Sequence, residues 1–226
     1  MRYMGGKFKI AKYLSEVLNP CIEDSFYEPF VGGFNLSPRI IAKKHICGDA
    51  HTGLINMYKA FQNGWEPPES VSEEEYQAAK NLPDESALKA FIGFGCSFGG
   101  KWFGGYGRGG KGADAGTARR SLVKNREKIS ACVFNQGAYQ ATCAGVRGSV
   151  VYCDPPYANT TKYKGFDFDS SVFWEWCQKT ARHNRVFVSE YACPVRHVVR
   201  WEKERDCSMN DNRAKVTERL FEVIPA

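Results

Sequence analysis

The run Val150-Val151-Tyr152-Cys153-Asp154-Pro155-Pro156-Tyr157 holds the residue types in this chain best suited to chemistry. A carboxylate, carbonyls with few competing N–H groups and an aromatic face stand side by side. That set fits a planar substrate bearing an amino group: Asp154 and the Pro155 carbonyl each accept one amino hydrogen while Tyr157 stacks on the ring. Pro155 and Pro156 each fix φ and push the preceding residue out of the helical region, so the segment is stiff and extended. Taken alone, Asp-Pro-Pro-Tyr equally fits a proline-rich turn that closes a strand.

These residues need a scaffold. The apolar run before Asp154 predicts a buried strand of a parallel sheet, and ligands of open α/β folds bind beyond the carboxyl ends of such strands. Two glycine-bearing segments are candidate partners. Arg2-Tyr3-Met4-Gly5-Gly6-Lys7 precedes an apolar stripe that predicts a helix over Phe8–Leu18, and Ser25–Glu28 predicts a strand breaking at Pro29-Phe30-Val31-Gly32-Gly33 before a helical run from Asn35 to Lys44. Glycines let a backbone approach a ligand closely, although a plain turn explains either segment alone, and no Gly-x-Gly-x-x-Gly is present. His45–Asp49 predicts a second strand whose terminal acid follows the glycine turn at roughly the 20-residue spacing of a ribose-binding carboxylate, with an exposed strand-end acid as the alternative.

Hydrophobic residues make up 43% of the 226 and charged residues 25%, ordinary values for a globular chain. No apolar run approaches membrane-spanning length and the N-terminus lacks a signal-peptide core, so a cytoplasmic protein without membrane partners is expected. The nine cysteines include no Cys-x-x-Cys pair, and His45, His51, His183 and His197 lack paired ligand spacing. Reduced thiols and no metal are therefore expected. The net charge of +6 is concentrated: between Gly93 and Lys128, Lys101, Arg108, Lys111, Arg119, Arg120, Lys124, Arg126 and Lys128 face only Asp114 and Glu127. Phe98, Trp102, Phe103 and Tyr106 interleave with glycines there, a composition suited to phosphate contact and base stacking and predicted to be mobile when free. Helices are predicted from Ser72, over Glu85–Gly93, Ala118–Ile129 and Val172–His183 (inward Phe173, Trp176, Cys177 and Thr180). Strands are predicted at Ala131–Phe134 and Arg185–Tyr191, and a hairpin about Asn210-Asp211-Asn212.

In combination these segments resemble the Dam-type (D12 class, alpha order) adenine-N6 DNA methyltransferases. Asp154–Tyr157 is similar to the family's motif IV, the Tyr3–Lys7 segment to motif X, and Glu28-Pro29-Phe30-Val31-Gly32-Gly33 to motif I. The resemblance implies a Rossmann-like α/β sheet using S-adenosylmethionine, with a catalytic domain of residues 1–62 and 129–226 and a mostly helical and loop target-recognition insertion at 63–128. It assigns Asp154, Pro155, Pro156 and Tyr157 to catalysis on a flipped-out adenine. Tyr3, Lys7, Glu28, Phe30, Gly32, Gly33, Asp49 and Asp154 would bind the cofactor. Lys101, Trp102, Tyr106, Arg108, Lys111, Arg119, Arg120 and Lys124 would contact double-stranded DNA. Lys7 would partner the methionine carboxylate. Ala138 departs from the family, standing where relatives carry an acid that contacts the cofactor's adenine. A monomer is expected, and a paired restriction enzyme would make this half of a restriction-modification system. Cytosine-N4 methylation, methylation of RNA or of protein glutamine, and an inactive DNA-binding protein of the same fold remain as rivals.

Overall fold

A computed structural model describes residues 1–108, 114–156, 168–206 and 215–226. The expected loop over residues 158–168 (all but Phe168) and hairpin turn at 210–212 lie outside the described residues, as do Lys111 and Tyr157.

The elements follow in chain order: α1 (Ala11–Leu18), β1 (Ser25–Glu28), β2 (Lys44–Asp49), α2 (Thr52–Gln62), α3 (Glu73–Ala79), α4 (Ala87–Ala90), α5 (Ala115–Lys124), α6 (Arg126–Ser130), β3 (Val133–Gln136), α7 (Tyr139–Thr142), β4 (Val150–Cys153), α8 (Ser170–Ala181), β5 (Arg185–Glu190), β6 (His197–Asp206) and β7 (Lys215–Val223). The strands form one sheet of order β3-β2-β1-β4-β5-β7-β6. The first five are parallel, and β7 runs antiparallel between β5 and β6, the hairpin expected at the sheet edge.

Side-chain alternation divides the sheet between two helical layers. On one face Phe26, Val150, Tyr152, Phe187 and Leu220 pack under α1 through Ile10, Leu14 and Leu18. On the other, Val151, Cys153, Val186 and Val188 pack under α8 through Phe173, Trp174 and Cys177. β4 is buried along its whole length, as an all-apolar central strand must be. The buried side of α8 also includes Trp174 and Ala181, with the expected Trp176 partly buried against the same cluster.

One expectation is corrected. The helix predicted over Asn35–Lys44 is a single 3-10 turn, Ser37–Arg39, after which Ile40 is extended. Pro38 starts that turn, and the Asn19 side chain then holds the extended chain through Arg39 O and Ile41 N. The glycine- and aromatic-rich segment, predicted to be mobile when free, packs against a core it shares with the sheet. Trp102, Phe103 and Tyr106 lean on a cluster containing Phe91 and Phe94 as well as Cys47, Tyr58 and Phe134. After α4 the chain makes a π-helical turn, Phe91–Gly95, and Gly93 has no room for a Cβ because Trp102 lies against it. The expected start of α3 is observed in full: the Ser72 hydroxyl accepts from Glu75 N while the Glu75 carboxylate accepts from Ser72 N.

Candidate active site

The chain winds outward from β1 through β2 to β3, then returns to place β4 on the other side of β1. Neighbouring strands whose connections leave in opposite directions open a crevice at their carboxyl ends, where open α/β sheets bind ligands. Here its two lips are Glu28-Pro29-Phe30 after β1 and Asp154-Pro155-Pro156 after β4.

Asp154 does not stand alone in this crevice. Lys7 Nζ lies 2.6 Å from Asp154 Oδ1 and 3.5 Å from Glu218 Oε1, and also donates to Gly5 O at 3.1 Å. Lys7 is 6% exposed and the Asp154 side chain 18%. Burial raises the Asp154 carboxyl to about 6, and the Lys7 charge and hydrogen bond hold it from rising further. Glu218 comes from β7, where it shares the inward face with Leu220. Sequence reasoning missed it, though an acid on the apolar face of an alternating strand was the available signal.

The N-terminal segment lies across the glycine turn, so the two cofactor-like motifs meet. Gly32 has φ of +47°, and a Cβ there would sit 3.0 Å from the Tyr3 ring; one at Gly33 would collide with Met1 O and Tyr3 Cβ at 2.7 Å. Tyr58 donates from its hydroxyl to Gly32 O at 2.8 Å. Asp49 closes the turn from β2, accepting from Gly32 N at 3.0 Å and His51 N at 2.9 Å. Each Asp49 oxygen keeps a further lone pair for an incoming hydroxyl. Phe30 packs against Tyr139 in a stacked arrangement at 5.5 Å, with Phe173 edge-on at 5.8 Å. Tyr139 directly follows Ala138 at the start of α7, so this aromatic wall has no acid beside it at position 138.

Glu28 is 3% exposed; its carboxylate accepts the Ser37 hydroxyl and faces His45.

The basic residues are divided. Arg108 makes two hydrogen bonds to Glu73, at 2.7 and 3.1 Å, and Arg119 is turned to Pro67 O at 3.0 Å and Glu66 at 3.4 Å. Lys101, Arg120 and Lys124 are exposed, with Arg120 bonded to the neighbouring Thr117 hydroxyl. Tyr106 donates its hydroxyl to Val71 O at 2.6 Å, and Trp102 packs on His51 and Phe94; the exposed ring of this segment is Phe98, at 75%.

A mostly parallel sheet with an antiparallel seventh strand inserted beside its edge, and a strand-end acid beside a glycine turn, is the α/β arrangement that the sequence resemblance implied. The family model of the D12 class N6 adenine-specific DNA methyltransferases matches residues 3–88 of this chain. Two curated proteins from Vibrio cholerae strains, each called DNA adenine methylase, are 25% identical to it over 83% of this chain and 78% of theirs. Among solved structures, a putative methyltransferase from Escherichia coli aligns with 96% of this chain and 86% of its own at 12% identity and a TM-score of 0.43. TrmN from Thermus thermophilus aligns with 95% of this chain and 48% of its own at 10% identity and 0.42.

Proposed function

We propose that this protein transfers the methyl group of S-adenosylmethionine to the exocyclic N6 of adenine in DNA, in the crevice between β1 and β4. The observation that carries the reading is the Lys7–Asp154 pair at that crevice, beside a glycine turn too crowded for any Cβ. The donor set suits the cofactor: Asp49 offers lone pairs at the end of β2, and Lys7 supplies a cation for a carboxylate. When bound, it supplies an electrophilic methyl on a sulfonium.

The rest is the work of the protein. Adenine N6 is a poor nucleophile because its lone pair is delocalised into the ring. Asp154 Oδ and the Pro155 carbonyl accept its two hydrogens, favouring a pyramidal nitrogen whose lone pair points along the transfer axis. Holding the reactants in line removes on the order of 7 to 11 kcal/mol of barrier. No covalent bond to the protein forms, and the N6 proton passes to solvent once the nitrogen has become cationic. The base leaves the duplex to reach Asp154, at a cost of a few kcal/mol that Tyr157 offsets by stacking and the basic insertion by phosphate contacts. Lys101, Arg120 and Lys124 supply those contacts, with Phe98 the ring free to meet the DNA.

The test is incubation with duplex DNA and methyl-labelled cofactor, followed by digestion to nucleosides. Label in N6-methyldeoxyadenosine supports the reading, and label in N4-methyldeoxycytidine or none in DNA overturns it.

A further inference from the structure

Away from the crevice, on the sheet face covered by α1 and α2, the strand registers assemble a second group of reactive side chains. Glu28 of β1 pairs with Cys47 of β2, and Phe26 pairs with His45 two residues earlier. Because side chains alternate, Glu28, His45 and Cys47 all emerge on one face. β3 joins β2 with Ile46 opposite Val133 and Cys47 opposite Phe134, which puts Cys132, two residues before Phe134, on that same face beside His45. Two consecutive strands and the residue leading into β3, far along the chain, thus deliver four potential ligands to adjoining rungs.

Their donor atoms converge. A ring nitrogen of His45 and the sulfurs of Cys47 and Cys132 all lie within 4.8 Å of one another, and all three residues are buried. His45 Nε2 is 4.0 Å from Glu28 Oε2. The hydroxyl of Ser37 touches three members at once: Glu28 Oε2, His45 Nε2 at 3.2 Å and Cys47 Sγ at 3.6 Å. A hydroxyl has only one hydrogen to give. The group gathers several lone pairs around Glu28, a residue only 3% exposed. A buried carboxylate needs a compensating positive charge, and among the described residues the basic side chain paired with this one is His45.

We propose that His45, Cys47 and Cys132 form a structural site for one divalent cation of the zinc type, with Glu28 facing the fourth position. Two thiolates and an imidazole are the soft donor set that selects zinc over magnesium or calcium, and structural zinc sites take four N, S or O ligands. Bonds of roughly 2.0 to 2.3 Å around a tetrahedral ion set donor atoms a little under 4 Å apart, so the present cluster needs only a slight contraction. On binding, the thiol protons of Cys47 and Cys132 pass to solvent. The ion would tie β1, β2 and the lead-in to β3 together beneath the loop that Asp49 closes. It takes no part in methyl transfer, so the proposal stands independently of the function above. The sequence concealed it because the search for Cys-x-x-Cys spacing does not find His-x-Cys on a strand, where a spacing of two is what shares a face.

The test uses the full chain, purified with reductant and dialysed against metal-free buffer, then analysed for metal by mass spectrometry. About one equivalent of zinc per chain is expected, falling at least tenfold in Cys47→Ser and in Cys132→Ser but retained in Cys21→Ser, whose thiol lies elsewhere. Cobalt in place of zinc should give a thiolate-to-cobalt charge-transfer band that is missing in Cys132→Ser. If the serine variants do not fold, the wild-type cobalt spectrum decides. The absence of that band overturns the site, as does equal zinc in all variants, or a wild-type mass two hydrogens light from a Cys47–Cys132 disulfide.

Discussion

The crevice and the basic insertion use cations in opposite ways. Lys7, at 6% exposure, is held between Asp154 and Glu218, so its charge is fixed to within ångströms of one reacting group. Arg120 and Lys124 point into solvent from α5, and the charges around them that could be fixed, Arg108 and Arg119, are already committed to Glu73 and Glu66. A buried charge acts through position and is felt strongly at low effective dielectric, whereas an exposed one acts through number and is screened by salt. Changes at the crevice should therefore be large and specific. Changes in the insertion should be small, additive and dependent on ionic strength.

The largest effect expected is at Asp154. Asp154→Ala removes an acceptor positioned for the amino group and should lower methyl transfer by on the order of 10²-fold or more while leaving the thermal midpoint close to wild type, as removal of a preorganised polar group does. Near wild-type turnover would show that the reaction does not pass through this carboxylate. Lys7→Met is next: it leaves Asp154 and Glu218 buried without their shared cation, destabilises the fold by up to about 3 kcal/mol and weakens cofactor binding in calorimetry. An unchanged midpoint would mean the pair is weaker than its 2.6 Å separation implies.

The same pair sets a pH dependence. Asp154 must be ionised to accept hydrogens, and its carboxyl sits at about 6. Turnover at saturating substrates should fall as pH drops through about 6, and the acid limb should move to higher pH in Lys7→Met, because Lys7 is what holds that carboxyl down. The effect on stability has the opposite sense. A carboxyl raised from 3.8 favours the folded state below its unfolded value, and that contribution is lost as pH rises through about 6. A pH–rate profile flat between 5 and 8, on the order of one unit either side of the ordinary histidine range, would rule out titration of Asp154 as the cause.

Much of this was legible beforehand. β1, β2, β4 and β5 were readable from apolar runs ending in Glu28, Asp49, Asp154 and Glu190, because a buried parallel strand has no other way to look. The crevice residues were legible as types at spacings, but their contacts were not. Nothing local to Lys7 says that its neighbours are Asp154 and Glu218, both contributed from the far half of the chain. The segment from Gly95 to Arg108 misled for a related reason. Its glycines suggested a solvated loop, whereas Gly93 and Gly100 are small because Trp102 and the Tyr3 backbone press against them. Composition reports what a segment can do alone, and this one folds against neighbours. Trp102→Ala should accordingly cost stability, up to about 3 kcal/mol given that the ring is only partly buried, while Phe98→Ala should leave the thermal midpoint unchanged and reduce methylation of duplex DNA. Equal midpoints in the two variants would return Trp102 to the role of a DNA contact.

The smallest effects are expected along α5, where they grade the insertion's charges. Removing one cation that neutralises a phosphate should reduce the slope of log K against log salt by about 0.9, so Arg120→Ala combined with Lys124→Ala should flatten it by up to about 1.8. Arg119→Ala should do less. Its guanidinium is occupied by Pro67 O and Glu66, and removing it exposes acids as well as deleting a base. Arg108→Ala should likewise change little, since the group it frees, Glu73, would repel the same phosphates that Arg108 attracts. Binding to unrelated duplexes should weaken in parallel and cofactor affinity should stay constant, because none of these residues reaches the crevice. Salt titrations of the double variant and of Arg119→Ala, run side by side, make the distinction. If Arg119 carries the larger share, its pairing with Glu66 gives way when DNA binds, and the insertion's internal ion pairs are then a store of positive charge released by the substrate.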